Sequence, residues 1–264
     1  MGSATREALI SARKALDELG TGEGLVTGKQ LFQAARVISD SSQLRGALAD
    51  PSVDATDKSA VINSVFAAIS PGARALLAQL VESRWSTQDD LLAGIEEIGI
   101  RAVARSAPHG TSVEGELFAF GAAVSSNAEL ELAVGSKLGS DDAKAALVSA
   151  LLDSKASEQT IAIVSHLVQQ PRGRRINELI RYAASTVADE AGLTIATVTT
   201  AAPISAEQLD RLATGLSKTY GRDVKINRVI DPSIIGGVRV QVGDDVIDGS
   251  ISTRLTDLRL QLAR

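Results

Sequence analysis

Residues 31 to 81 are echoed by residues 117 to 168 at a nearly constant spacing. Leu31-Phe32 matches Leu117-Phe118, Leu44 matches Leu130, Ala47 matches Ala133 and Lys58 matches Lys144, each 86 residues apart (117 − 31, 130 − 44, 133 − 47, 144 − 58). Val61-Ile62 aligns with Leu147-Val148 and Val65-Phe66 with Leu151-Leu152; Leu80-Val81 meets Leu167-Val168 after a one-residue slip. Ala-rich helices match by chance, but chance does not hold one offset across several caps and loops. The spacing therefore predicts one helical unit built twice.

Apolar residues in these stretches recur at three- and four-residue steps, as in Leu9, Ala12, Leu16 and Leu19, which predicts a helix over 5–19. Gly20, Gly22 and Gly24 stop it. Further helices are predicted over about 28–39, 43–49, 55–69, 71–83 and 88–106. Ser70-Pro71 serves as N-cap and first helical residue, and Ser86-Thr87 as a cap. Shifted by 86, the first helix falls on 91–105, already the last helix of the first copy. The copies then share a helix, or the second lacks its own first one.

After Gly192 the period changes. Residues 193–199 alternate apolar with small or polar side chains and are rich in β-branched ones, which predicts a strand. Ser205 with Gln208 forms a capping box for a helix ending near Tyr220 and Gly221. Val224 and Ile226, then Val229-Ile230 after a change of pitch, predict a second strand. Val238, Val240 and Val242 predict a third, Val246-Ile247 a short fourth, and Ser250 caps a final helix. The expected fold is mainly α with a small α+β C-terminal domain: two tandem helical bundles (1–107 and 108–191, around a linker at Pro108-His109-Gly110) and a β-α-β-β-β-α domain (192–264).

Composition narrows the function. The 264 residues are 44% hydrophobic but 3% aromatic, so cores are built from Ala, Leu, Val and Ile. Twenty-seven basic against 32 acidic side chains give a net charge of −5, and neither the basic excess nor the stacking aromatics of a nucleic-acid binder is present. With no Cys and two His, thiolate and His-rich metal sites are excluded. The first residues have no signal-peptide core, and no apolar run approaches the roughly 20 residues of a membrane span, so membrane association is expected only through a partner.

Chemistry-bearing motifs are sparse. Gly24 to Gln30 has a phosphate loop's flavour, but the glycine spacing is one residue short and no strand precedes it; a flexible loop between helices is the better reading. Ser11 to Lys14 matches a Ser-x-x-Lys spacing without its companion motifs. Arg172, Arg174, Arg175 and Arg181 form the densest basic cluster, read as a solvated loop or a surface for an acidic partner ahead of a phosphate site. Trp85 reads as a core or edge anchor and His166 as a core-edge residue. Asp244, Asp245 and Asp248 lack calcium-loop spacing. No catalytic, cofactor-binding or metal-binding residues are assigned, and no cofactor is expected.

The segment from Val229 to Ser250 is the most specific in the chain: Val-Ile-Asp-Pro-Ser-Ile-Ile-Gly-Gly-Val-Arg-Val-Gln-Val-Gly-Asp-Asp-Val-Ile-Asp-Gly-Ser. It resembles the signature of the delta subunit of F-type ATP synthase, the family of the oligomycin-sensitivity-conferring protein. Its motif residues here are Asp231, Gly236, Gly237, Gly243, Asp248 and Gly249. Gly236-Gly237 would let the backbone bulge, Gly243 suits a hairpin turn and Gly249 a chain reversal. The duplicated helical domain resembles the long actinobacterial form, and 19 Arg against 8 Lys suits a GC-rich genome.

The resemblance implies a non-catalytic stator connector, one copy in a hetero-oligomeric complex at the cytoplasmic face of the bacterial plasma membrane, peripheral through its partners. Those partners are the alpha subunits of the catalytic head and a b-type subunit of the peripheral stalk, with no nucleic acid and no membrane insertion. The first copy alone has a dedicated first helix, so the head is expected to meet Leu9, Ala12, Leu16 and Leu19. The last helix carries Ile251, Leu255, Leu258 and Leu262 at steps of four, three and four. Packing on its own sheet is one reading of that stripe; stalk contact near Leu258 and Leu262 is the other. A helical-repeat adaptor unrelated to energy coupling is the alternative function.

Overall fold

The computed structural model describes residues 2–20, 22–135, 139–243 and 245–249. The chain forms two compact units, Met1–Val187 and Ala188–Arg264.

The first unit is helical. It holds α1 (Ser3–Leu19), α2 (Gly24–Asp40), α3 (Ser42–Ala49), α4 (Ala55–Val65), α5 (Pro71–Glu82) and α6 (Gln88–Arg105), then α7 (Val113–Ser126), α8 (Ala128–Gly135), α9 (Asp141–Leu152), α10 (Glu158–Gln169) and α11 (Ile176–Glu190), which ends in the second unit. From α2 and from α7 the same order of long and short helices runs twice. α3 and α8 both span eight residues and begin 86 apart (128 − 42).

Local chemistry sets these starts, because a helix leaves its first N–H groups without intrahelical acceptors. Ser41 Oγ accepts from the Leu44 N–H and Asn127 Oδ1 from the Leu130 N–H. Ser70 Oγ takes the Ala73 N–H, and Ser157 Oγ the Thr160 N–H. The tie between helices recurs as well. Gln30 Oε1 accepts from the Ser70 N–H at 3.0 Å, and Glu116 Oε2 from the Ser157 N–H at 2.9 Å. The cores follow suit: Leu31, Ile38, Leu77 and Leu80 are buried, and so are Leu117, Val124, Val164 and Leu167.

α6 is buried on every side, Leu91, Ile95, Ile98, Ile100 and Val103 included. A helix with one apolar stripe needs one neighbouring surface; one buried all round needs several. α6 packs on α1, α2, α3 and α5, and also on α10. Its Ile95 and Ile98 stand 86 residues beyond Leu9 and Ala12 of α1 (95 − 9, 98 − 12), so α6 meets α10 as α1 meets α5.

Gly24-Leu25-Val26-Thr27-Gly28 is not the flexible loop its glycines predict: it begins α2. The glycines serve packing. A Cβ at Gly28 would lie 2.6 Å from the Gly99 carbonyl oxygen of α6, so α2 and α6 approach closely only without side chains there.

The second unit holds β1 (Thr194–Thr200), α12 (Ala206–Tyr220), β2 (Val224–Ile230), β3 (Val238–Val242) and β4 (Asp245–Asp248) in the sheet order β2-β1-β3-β4. β1 runs parallel to β2 and antiparallel to β3, with Val198 opposite Val240. β2 is one continuous strand without the expected change of pitch. Parallel neighbours need a crossover, and α12 supplies it. Its Leu212 and Leu216 cover Ala196, Val198, Val240 and Val242. The Ser205–Gln208 capping box forms, and Gly221 closes the helix in the left-handed region at φ 67°. The predicted final helix, with Leu258 and Leu262, lies outside the described residues. The chain is thus mainly α with a small α+β C-terminal domain, as its periodicities require. No single helix among the described residues is long and apolar enough to cross a membrane.

Candidate partner-binding surfaces

The stripe expected to meet a partner on α1 packs inside the bundle instead. Leu9, Ala12 and Leu16 are buried and Leu19 packs on the same core, against α5 and α6. In a bundle the apolar face of an amphipathic helix is consumed by its neighbours. What α1 offers outward is Ile10, 62% exposed, and the residues of a groove.

That groove, about 1020 Å³, runs between the start of α1, the end of α3 and the α5–α6 connection. Ser3, Glu7 and Ser11 form one wall, Gly46 and Ala49 another, and Trp85 closes the end. Trp85 is an anchor, as read from sequence: it is buried, and its Nε1–H donates to the Leu80 carbonyl oxygen at 2.6 Å. Thr5 Oγ1 donates to Asp90 Oδ2 at 2.9 Å and accepts the Ser86 N–H, tying α1 to the groove floor.

Behind the groove lies a polar cluster that sequence reasoning missed. Glu96 and Glu97 are buried at the centre of α6, in a run from Leu91 to Val103 that is apolar apart from them and Arg101. Two acids in such a run were the signal, because buried charge requires partners. Glu97 Oε1 takes Arg13 of α1 at 2.6 Å and Arg101 of α6 at 3.0 Å. Glu96 takes Arg172 at 2.7 Å and Arg174 at 2.8 Å, both from the α10–α11 connection. The basic cluster therefore divides. Arg172 and Arg174 hold an internal carboxylate, while Arg175 and Arg181 face solvent.

Burial pushes the Glu96 carboxyl up, but the His166 ring and the guanidiniums of Arg172 and Arg174 outweigh it and hold the group at about 2. His166 is fully inside rather than at the core edge, 2% exposed and stacked on Phe32. Its Nε2 stands 3.5 Å from Glu96 Oε2, beyond good hydrogen-bond geometry, and neither ring nitrogen finds another partner among the described residues. Burial keeps the ring neutral, shifting its titration downward against the pull of Glu96. Burial and the neighbouring Glu97 push the Tyr182 phenol upward.

The remaining motifs are structural. Ser11 and Lys14 lie on α1, and Ser11 Oγ accepts from Gln79. Asp231 Oδ1 accepts from Ser233 N–H and Oγ–H, closing a turn. Gly236, Gly237 and Gly243 adopt positive φ (65°, 84° and 58°), which glycine tolerates without a Cβ clash. The Gly249 N–H donates to the Val238 carbonyl oxygen at 2.9 Å, pinning the end of β4, whose last residue is Asp248, to β3. Among the described residues no group of His, Asp and Glu is placed to hold a metal ion.

The family model of the ATP synthase delta (OSCP) subunit matches residues 101–262. An ATP synthase subunit delta of Leifsonia xyli is 54% identical over 263 residues, covering all of both chains. That of Streptomyces coelicolor is 37% identical over all of this chain and 98% of its own, and that of Thermobifida fusca 34% over all of both. With the Asp231 to Gly249 turns in place and relatives aligned end to end, the chain belongs to the ATP synthase delta (OSCP) subunit family.

Proposed function

We propose that this chain is the non-catalytic connector of an F-type ATP synthase stator, joining the catalytic head to the peripheral stalk and resisting rotary torque. The observation that carries the reading is the end-to-end match, at 54% identity, to a protein described as ATP synthase subunit delta. In this reading the helical unit is a duplication (1–107 and 108–191) and 192–264 a third domain. The recurrent caps, the paired Gln30–Ser70 and Glu116–Ser157 bonds and the equivalent cores support it. A stator element transmits force without yielding. The ion pairs of the buried Glu96 and Glu97, which join α6 to the α10–α11 connection and to α1, suit that task, since close-packed interiors transmit strain. The first copy meets the alpha subunits through the α1–α3 groove, and the C-terminal domain meets the b-type stalk subunit, with Leu258 and Leu262 at that contact. The chain is then held at the cytoplasmic membrane face by its partners.

Deleting α1 is a poor test, since Leu9, Ala12 and Leu16 would leave the core with it. Photocross-linking is better. A photoreactive residue at Ser3 in the groove should capture alpha subunits, and one at exposed Ile235 the stalk subunit. Affinity purification from solubilised membranes that recovers no ATP synthase subunit would overturn the connector reading.

A further inference from the structure

Two adjacent carboxylates of α6 face different copies of the helical unit. Successive residues of an α-helix point about 100° apart, so Glu96 and Glu97 leave α6 toward different neighbours. Glu97 reaches Arg13 of α1, the helix whose Ser3, Glu7 and Ser11 form one wall of the first groove. Glu96 reaches Arg172 and Arg174 in the second copy. Tyr182 of α11 stands where the two sets of contacts meet. Its Oη lies 3.5 Å from Glu97 Oε2, and the Arg174 guanidinium lies over its ring, 5.8 Å from the centroid and within cation–π reach. A continuous run therefore leads from Arg13 through Glu97, Tyr182 and Arg174 to Glu96.

Burial stiffens this run. Glu96 and Glu97 are 1% and 4% exposed, and Tyr182 is half-buried. Polar contacts inside a protein polarise one another, and a satisfied network of them rigidifies its surroundings. α6 also meets the groove at two further points. Asp90 accepts from Thr5 of α1, and Gly94 lies against the Trp85 ring that closes the groove's end. A shift of α6 at Glu96 would carry these contacts with it, because a close-packed interior transmits strain.

We infer that Tyr182 is a positioning residue, through which the second copy sets the α1 wall of the first copy's groove. Its hydroxyl faces the Glu97–Arg13 pair that holds α1, and its ring faces the Arg174–Glu96 pair that holds the α10–α11 connection. The second copy then serves the groove without touching what binds there. The identity of the occupant rests on the connector reading; the coupling inside the chain does not.

Hydrogen exchange on the full chain tests the coupling, read as exchange in α1 relative to exchange at the buried Leu77 and Leu80 of α5. Global destabilisation speeds both alike, whereas a loosened α1 speeds its own. Tyr182→Phe removes the hydroxyl and keeps the ring; Arg174→Gln removes the guanidinium above it. Each should raise the ratio roughly three- to tenfold and weaken binding to a purified ATP synthase catalytic head by a similar factor, the usual size of a distal coupling. Arg175→Gln, at an exposed neighbour, and Val148→Ala, a cavity in α9 of the second copy, are the controls. Val148→Ala should lower the melting temperature, and neither control should move the ratio. A ratio unmoved by Tyr182→Phe and Arg174→Gln, or moved as far by Val148→Ala, would overturn the coupling. Head binding that stays constant while the ratio rises would refute a role for it in the groove. If the wild-type chain does not bind the head at all, the connector reading fails, and the exchange ratio alone still decides the coupling.

Discussion

Phe32 and His166 stack face to face, their ring centroids 4.1 Å apart and their planes 6° from parallel, so that α2 and α10 meet through two flat rings. The stack seals one side of His166, while Glu96, Arg36 and Arg172 are the charged groups around it. A buried imidazole whose titration is pushed down stays neutral in the folded chain but takes a proton in the unfolded one below about pH 6.5. The unfolded state then binds more protons, so stability falls as pH drops below that value, by up to about 1.4 kcal/mol per pH unit. Urea unfolding at pH 7.5 and 5.5 should show this loss in the wild type and a smaller one in His166→Leu, His109 being common to both. Identical pH profiles would mean that His166 protonates equally in both states.

Glu96 behaves in the opposite sense at lower pH. Its folded-state value near 2 lies below the unfolded carboxyl value, so its contribution is complete above about pH 4.5 and lost as pH falls toward 2. Glu96→Ala at neutral pH leaves Arg172 and Arg174 without their buried acceptor. The expected cost is about 3 kcal/mol, at the low end for a broken buried pair because both arginines reach solvent. Denaturation of wild type and variant should converge as the pH approaches 2. A variant as stable as wild type at pH 7 would remove the pair from any structural role.

Most of the architecture was legible because period and caps are local properties. Ser70-Pro71, Thr87 and the Ser205–Gln208 pair mark helix starts by their own chemistry, and each caps where the sequence places it. The surfaces were not legible in the same way. An apolar stripe such as Leu9 to Leu19 looks the same whether it meets a neighbouring helix or a partner, and only the packed bundle decides. Likewise Arg172 and Arg174 look like a solvated cluster until the fold brings Glu96 beside them, 76 and 78 residues earlier in the chain (172 − 96, 174 − 96). Gly24 and Gly28 read as loop glycines because close helix approach leaves no local mark.

Those glycines give a paired prediction. Gly28→Ala places a methyl against the Gly99 backbone and should cost about 1–3 kcal/mol through forced separation of α2 and α6. Gly46→Ala meets nothing within 4 Å in α3 and should stabilise by about 0.5–1 kcal/mol through helix propensity. Thermal melts of the two variants should move in opposite directions. A shift of the same sign in both would show that propensity or crowding alone governs these helices.

Trp85 offers the last test, because it is the chain's single tryptophan and lines the first groove. Buried, with Nε1–H bonded to Leu80, it should emit at short wavelength and resist quenching by acrylamide. Its ring lies against Gly94, where an added Cβ would stand 2.6 Å from Cζ3. Gly94→Ala must therefore push the indole outward, shifting emission to the red and raising quenching, at a cost of about 1–3 kcal/mol. A ligand in the first groove should further shield the ring. Emission and quenching unchanged by Gly94→Ala would show that the indole does not lie against Gly94.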